Sequence, residues 1–342
     1  MSGFSSFLNA IAAFFRSLFG KQSPPPPPAP PTRNDTYPPA TALVRKVLLV
    51  TYNPLVNNST GQKLFEIMAW RSAETLAADF MADIAETSAG LASFQIAGRA
   101  EINDILPFRD GFSYQPMELV DVLQGRTAPH PAEQVDYSGL LARLDALNLV
   151  AAGDFDEVWV FGFPHAGFYE SIMAGAGAFF CNSSPLGGTD SCPRRFITMG
   201  FSVERGGGEM LESFGHRAES ILRRVYAGQA GEANAFERFT RYDKTFPNMA
   251  EVGNVHYAPN SERDYDWGNM HFVPSTCDNW LNFPDLGGPA RQVNCSEWGG
   301  GEIRQHHLWW LRHFPHVAGQ MNGIANNWWR YVMDPNQVGQ KL

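Results

Sequence analysis

Five residues in one stretch have the types and spacing of a chemical site: Glu209, Glu212, His216, Glu219 and Arg223. At about 100° per residue they fall within a roughly 80° arc of a helix, so three carboxylates gather around one imidazole. That grouping suits a divalent cation held by His216 and Glu212, or metal-free acid/base work. It equally suits a solvated face with a Glu219–Arg223 pair one turn apart. In the metal reading His256 is the third ligand, Glu212 and Glu219 are the catalytic carboxylates with Glu219 as base, and zinc or another divalent metal is the cofactor.

Other constellations could wall such a site. The run Phe161 to Glu170 (FGFPHAGFYE) follows the most apolar strand candidate and offers His165, Tyr169 and Glu170 as substrate contacts. Residues 251–269 hold His256, Tyr257, Asn260, Glu262, Arg263, Asp264, Asp266 and Trp267 with almost no aliphatic residues, which reads as a functional loop. Tyr257, Asp266 and Trp267 are its candidate substrate contacts, because carboxylates, amides and indole rings suit sugar hydroxyls and CH faces. A loop knitted by its own side chains is the plain alternative. Residues 296–316 add His306, His307, His313 and His316, each a further ligand candidate or a packed histidine. Trp309, Trp310, Trp328 and Trp329 read as core fillers, since paired tryptophans place one ring inward.

Strands alternating with helices must position these groups. Val44 to Thr51, Ser93 to Arg99, Asp156 to Gly162 and Phe196 to Val203 read as strands. Ser72 to Ala89, Met117 to Leu123, Tyr137 to Val150 and the stretch beyond Gly206 to Gly208 read as helices. The pattern predicts an α/β core over 41–226, a mostly parallel sheet flanked by helices, with ligands beyond the carboxyl ends of the strands. Residues 227–342 read as a loop-rich elaboration packed on that core, holding seven of the nine tryptophans and six of the nine histidines.

Ahead of the core, residues 1–20 pattern as an amphipathic helix with Phe4, Phe7, Leu8, Ile11, Phe14, Phe15, Leu18 and Phe19 on one stripe, and 21–40 as a proline-rich linker. The helix fits an export signal or anchor, peripheral membrane contact through residues 4–19, or self-association. No later stretch approaches the roughly 20 apolar residues that span a bilayer. A net charge of -9 and the lack of any basic run exclude nucleic acid as a partner. The four cysteines form two local couples, each closing a Gly/Pro/Ser/Asn-rich loop, which predicts Cys181–Cys192 and Cys277–Cys295 disulfides in a secreted or cell-surface protein. Four reduced core cysteines are the alternative. No G-x-S-x-G elbow, P-loop or dinucleotide fingerprint occurs.

The runs DEVWVFGFPHAGFYESIMAG, GEMLESFGHRAESI, NVHYAPNSERDYDWGN and CSEWGGGEIRQHH resemble a family of exported bacterial proteins with no assigned activity, over about Val47 to Trp329. The export that this resemblance implies agrees with the disulfide expectation. The unit formed by a strand, a glycine break and Glu212-Ser213-Phe214-Gly215-His216 also resembles zincin-type metallopeptidases, with Glu212 in place of the first histidine and Ser213 in place of the catalytic glutamate. The combined expectation is an extracytoplasmic, metal-dependent hydrolase acting on a peptide or polysaccharide. The rivals are a glycan- or protein-binding surface module derived from a peptidase-like fold, and a two-carboxylate glycosidase using Glu170 or Glu204 with Glu212.

Overall fold

The apolar runs become the central strands, as their burial requires. In the computed structural model, which describes residues 40–131 and 134–340, five strands form one sheet. They are β1 (Leu43–Tyr52), β2 (Ala92–Ile102), β3 (Glu157–Gly162), β4 (Ser171–Ala174) and β5 (Phe196–Ser202), in the order β2-β1-β3-β5-β4. Every residue of β3 is buried, as a central parallel strand covered on both faces must be. β1 pairs in parallel with β2 and β3, and β3 with β5, while β4 runs antiparallel along β5. The short β4 has no sequence signal that separates it from the loop around it.

Helices flank the sheet: α1 (Ala73–Thr87), α2 (Pro116–Leu123), α3 (Tyr137–Arg143), α4 (Ala146–Ala152) and α5 (Gly207–Val225), followed by α6 (Ile303–Arg312) and α7 (Trp329–Met333). Ser72 caps α1 by accepting from the Thr75 N–H at 3.2 Å. The single helix expected over 137–150 is two, because Asp145 adopts a left-handed backbone (φ 50°) between α3 and α4. Phe80 of α1 and Phe214 of α5 close over Phe94 of β2, Trp159 of β3 and Phe201 of β5, with centroids 5.3 to 6.4 Å apart where they touch.

Residues beyond α5 cover its other sides. Trp280, Trp310, Trp328, Phe239 and Phe314 interlock there in edge-to-face contacts and join one hydrophobic core with the sheet. The tryptophan-rich C-terminal region is therefore core, and the described residues form one unit with it. At the heart of the packing Arg217, fully buried, donates to both oxygens of Glu157 (2.7 and 2.5 Å) and to the Val332 carbonyl of α7 (2.8 Å).

The expected disulfides do not form: all four cysteines are buried free thiols. The topology explains both failures. The Cys181 carbonyl accepts from Ser171 at the start of β4, whereas the Cys192 carbonyl accepts from Ala176 just past its end. Val273 pairs with Val293 in an antiparallel ribbon, which sends Cys277 and Cys295 to its opposite ends. A disulfide needs its Cα atoms within roughly 7 Å. The cysteine argument for an oxidising compartment falls with the bridges. The expected N-terminal helix and the linker up to residue 39 lie outside the described residues. Among the described residues, no helix is long and apolar enough to cross a membrane.

Candidate metal centre

The carboxyl ends of β3 and β5 open on the same edge, so the 163–170 loop and the start of α5 meet there. Glu209 occupies the start of α5, accepting from the Gly206 N–H at 3.0 Å. Between the two elements lies a cleft of about 350 Å³ lined by Phe163, His165, Glu170, Ser202, Arg205 and Ser213, among others. The polar face of α5 is not a solvated one. Glu212 and Glu219 are 5% and 7% exposed, since the 251–267 segment lies across them.

That segment brings His256 onto the helix. The Nε2 atoms of His216 and His256 stand 3.1 Å apart, and Glu212 Oε1 lies 3.5 Å from His256 Nε2. One donor atom from each of the three falls within 4.8 Å of the others. Each imidazole has a carboxylate behind it. Asp264 Oδ1 sits 3.0 Å from His256 Nδ1, and Glu219 Oε2 sits 4.0 Å from His216 Nδ1. At His256 the carboxylate on Nδ1 keeps the proton there and leaves the Nε2 lone pair for the space the two rings face, the usual outer arrangement of metal-binding histidines; Glu219 lies behind His216 at an ion-pair distance, beyond hydrogen-bond reach. Two nitrogens about 2.0–2.1 Å from a tetrahedral zinc would stand roughly 3.3 Å apart, close to the spacing these rings already have.

The electrostatics of the cluster are graded. Burial would raise the Glu212 carboxyl, but the bond from His256 and the nearby His307 and His216 imidazoles bring it below the ordinary value. Burial pushes His216 down, against Glu219. His256 is raised by Glu212, with Asp264 adding. A proton on His256 shared with the His216 lone pair therefore fills the gap when no cation does, so acid should compete with metal. Glu170 lies 4.0 Å from His216 Nε2 on the cleft side, is bonded by Asn182 Nδ2 at 2.6 Å, and is raised chiefly by burial with Glu212 adding. Nothing matches this chain among family models, curated proteins or solved structures.

Glu219 stands on the far side of His216 from the gap, and its oxygens accept from the Val255 N–H (3.1 Å) and Arg223 (3.2 Å). It can position His216 but is misplaced as the base; Glu170 has the place expected of one. Of the other expected substrate contacts, His165 is exposed on the cleft rim with a left-handed backbone (φ 62°). Tyr169 turns away, accepting from Gln134 and lining a separate cavity of about 490 Å³ with Arg109 and Tyr137. Tyr257 stacks on Tyr242 at 4.6 Å. Asp266 closes its own loop by accepting from the Glu262 N–H and Asn269, and Trp267 is buried against His306 at 4.9 Å. Asp266 knits the loop to itself, whereas Tyr257 and Trp267 pack it against Tyr242 and His306 outside it.

Sequence reasoning passed over Tyr265, whose hydroxyl lies 3.1 Å from His256 Nε2 and whose pKa burial and Glu212 push up to about 12. Its left-handed backbone (φ 57°) is strained for a tyrosine and has no signature in the sequence. A second grouping, Cys277, Asp278 and His313, is poorly suited to a cation. Arg291 holds both oxygens of Asp278 at 2.6 and 2.9 Å, and burial pushes the Cys277 thiol up to about 12.

Gly215 sets how closely His256 approaches His216. A Cβ there would stand 2.6 Å from Val255 Cγ2 and 3.5 Å from the Trp310 ring. Gly215→Leu should therefore lower stability by about 1–3 kcal/mol through overpacking and weaken binding at the adjacent cluster. Urea unfolding with a Zn²⁺ titration checks this. An unchanged midpoint and affinity would show that the close approach is not needed.

Proposed function

We propose that the protein is a hydrolase with a mononuclear divalent-metal centre held by Glu212, His216 and His256. The observation that carries this reading is the pair of facing Nε2 atoms 3.1 Å apart beside Glu212, with Asp264 bonded to Nδ1 of His256 and Glu219 standing 4.0 Å behind His216. The donor chemistry, two imidazoles and a carboxylate, fits zinc and leaves room for substrate. A bound cation would supply Lewis acidity, polarising a carbonyl or glycosidic oxygen and acidifying water.

The chain's own residues supply the rest. Glu170, with its raised carboxyl, takes the proton of the attacking water and returns it to the leaving group. Asn182 holds one of its oxygens in place. The Tyr265 phenol stays protonated at neutral pH and donates to negative charge developing beside His256. The cleft along Glu170 receives a peptide or glycan.

Elemental analysis after equilibration with Zn²⁺ should find one ion per chain, and Zn²⁺ at 100 times its Kd should raise the unfolding free energy by about 2.7 kcal/mol. His256→Ala should lose both effects. Wild-type protein that takes up no Zn²⁺, Co²⁺ or Mn²⁺ would end the metal reading.

A second reading has one specific observation in its favour: Glu170 is pushed up and Glu212 down, the divergence that separates a general acid from an ionised partner. In that case the two carboxylates would act on a glycan without metal. Polysaccharide hydrolysis that survives chelation but not Glu170→Gln would favour it.

A further inference from the structure

Arg205 is a cation that the chemistry above leaves unused. It lies in the turn from β5 to α5, where its N–H donates to the Ser202 carbonyl at 3.1 Å, and its side chain lines the cleft beside the candidate metal centre. Its nearest carboxylate atoms are Glu209 Oε1 at 3.9 Å and Glu212 Oε2 at 4.0 Å, beyond hydrogen-bond reach. The guanidinium is thus held next to a proposed metal ligand with its N–H donors uncommitted among the described residues. About half of the side chain is open to solvent, so a ligand can reach it. Ser202 lines the same cleft, and its Oγ is shielded from solvent without a hydrogen-bond partner among the described residues. An unpaired buried hydroxyl is unfavourable, and a ligand oxygen accepting from it would relieve that.

The rest of the lining narrows the ligand. Phe163, Phe168, Phe201 and Met210 give the cleft apolar walls. A sugar ring carries a hydroxyl on most of its carbons and would leave several unpaired against them, whereas an apolar side chain leaves none. Glu204 and Glu209 also line the cleft and would repel a doubly charged phosphate, while a single carboxylate is matched by a single guanidinium fork. Spacing agrees. In the last residue of a peptide the carboxylate carbon is three bonds from the preceding carbonyl carbon, inside one residue's length of about 3.8 Å. With Arg205 Nη2 at 4.0 Å from Glu212, the carboxylate and that carbonyl can reach the guanidinium and the metal centre together.

We infer that the cleft receives the C-terminal residue of a peptide, with its carboxylate on Arg205 and Ser202 and an apolar side chain against Phe163, Phe168 and Phe201. The inference rests on the hydrolase reading above and names its substrate: together they make the protein a carboxypeptidase. The oxygen of a water bonds to the carbonyl carbon ahead of the last residue, and the C–N bond breaks. Glu170 carries one proton of that water to the departing amine, and the new carboxylic acid loses the other to solvent.

Calorimetric titration of the Zn²⁺-loaded protein with N-acetylphenylalanine and with its C-terminal amide tests the site without requiring turnover. The acid should bind at least about tenfold more tightly than the amide, since a charge-assisted fork replaces a neutral contact. Arg205→Gln should bind both alike; no side-chain hydrogen bond of Arg205 holds the fold, so the variant should keep it. Hippuryl-phenylalanine should be hydrolysed by the wild type, and Arg205→Gln should raise KM for it at least about tenfold with a smaller change in kcat. Acid and amide bound equally by the wild type, or a preference that survives Arg205→Gln, overturns the inference even if both hippuryl peptides are hydrolysed and the hydrolase reading stands. An Arg205-dependent preference for the acid without hydrolysis supports the inference and counts against the hydrolase reading. Arg205-dependent binding of polygalacturonate, with neither phenylalanine derivative bound, overturns the peptide in favour of a glycan.

Discussion

Arg217→Met should lower the unfolding free energy by about 3–5 kcal/mol, because it strands a charge in the core. Arg217 and Glu157 are 0% and 1% exposed and meet through two parallel hydrogen bonds. Glu157 also accepts from the Trp159 indole at 3.1 Å, and Arg217 reaches the Val332 carbonyl. Removing the guanidinium leaves the carboxylate with only the indole, whereas methionine fills most of the volume, so lost packing contributes little. The double variant Arg217→Met, Glu157→Gln separates the two causes. It should recover much of the loss, since a neutral amide keeps a partner for Trp159 and carries no charge to desolvate. Urea midpoints measure all three proteins. A loss under about 1 kcal/mol in the single variant, or no recovery in the double, would mean that the pair is not what joins α5 to β3.

Acid should destabilise the metal-free protein steeply between pH 6.5 and pH 4. His306, His307 and His313 are buried, and burial holds all three neutral: His307 and His313 are pushed down to about 4 and His306 well below its usual 6.5. In the unfolded chain each takes a proton near pH 6.5. Across the window the unfolded state therefore binds more protons than the folded one, and stability falls as pH falls. The full loss is present below the folded values, where each of His307 and His313 costs about 3 kcal/mol. Glu170 and His256, both raised, act in the opposite direction, while His216, which burial pushes down, adds to the loss. Chelator-treated protein unfolded in urea at pH 7, 5.5 and 4.5 tests the trend, and His313→Gln should flatten it by about one proton. A midpoint that does not move between pH 6.5 and 4.5 would show that the imidazoles are charged or solvated in the folded state.

The sequence was read most accurately where one local signal decided the structure. Apolar β-branched runs such as VRKVLLVT can be buried only as central strands, and Ser72 ahead of Ala73 marks a helix start whatever surrounds it. The arc of Glu212, His216 and Glu219 follows from helical spacing alone. Reading failed where two distant segments had to be placed. The cysteine couples are close in sequence, yet β4 and the 273–293 ribbon hold their members apart. Arg217 falls among the apolar positions of α5 with no local mark of a buried partner, because Glu157 is 60 residues away on another element. Composition marks Tyr257 and gives no sign of Tyr265, because the turn that stacks the first on Tyr242 and brings the second to His256 is set by tertiary contacts.

By itself, then, the order of residues determined the elements and the donor types: a helix with carboxylates and an imidazole on one face, and a histidine-bearing loop with few aliphatic residues. Helical geometry is local, with neighbours three or four residues apart, so those features need nothing beyond the segment. Only the tertiary structure decided that this face is buried, that His256 rather than another histidine meets His216, and that Glu219 stands behind the ring while Glu170 stands before it. Each of these depends on how closely separate elements pack, at Gly215 against Val255 and at Gly208 against Ile303, and close packing is a property of the assembled core.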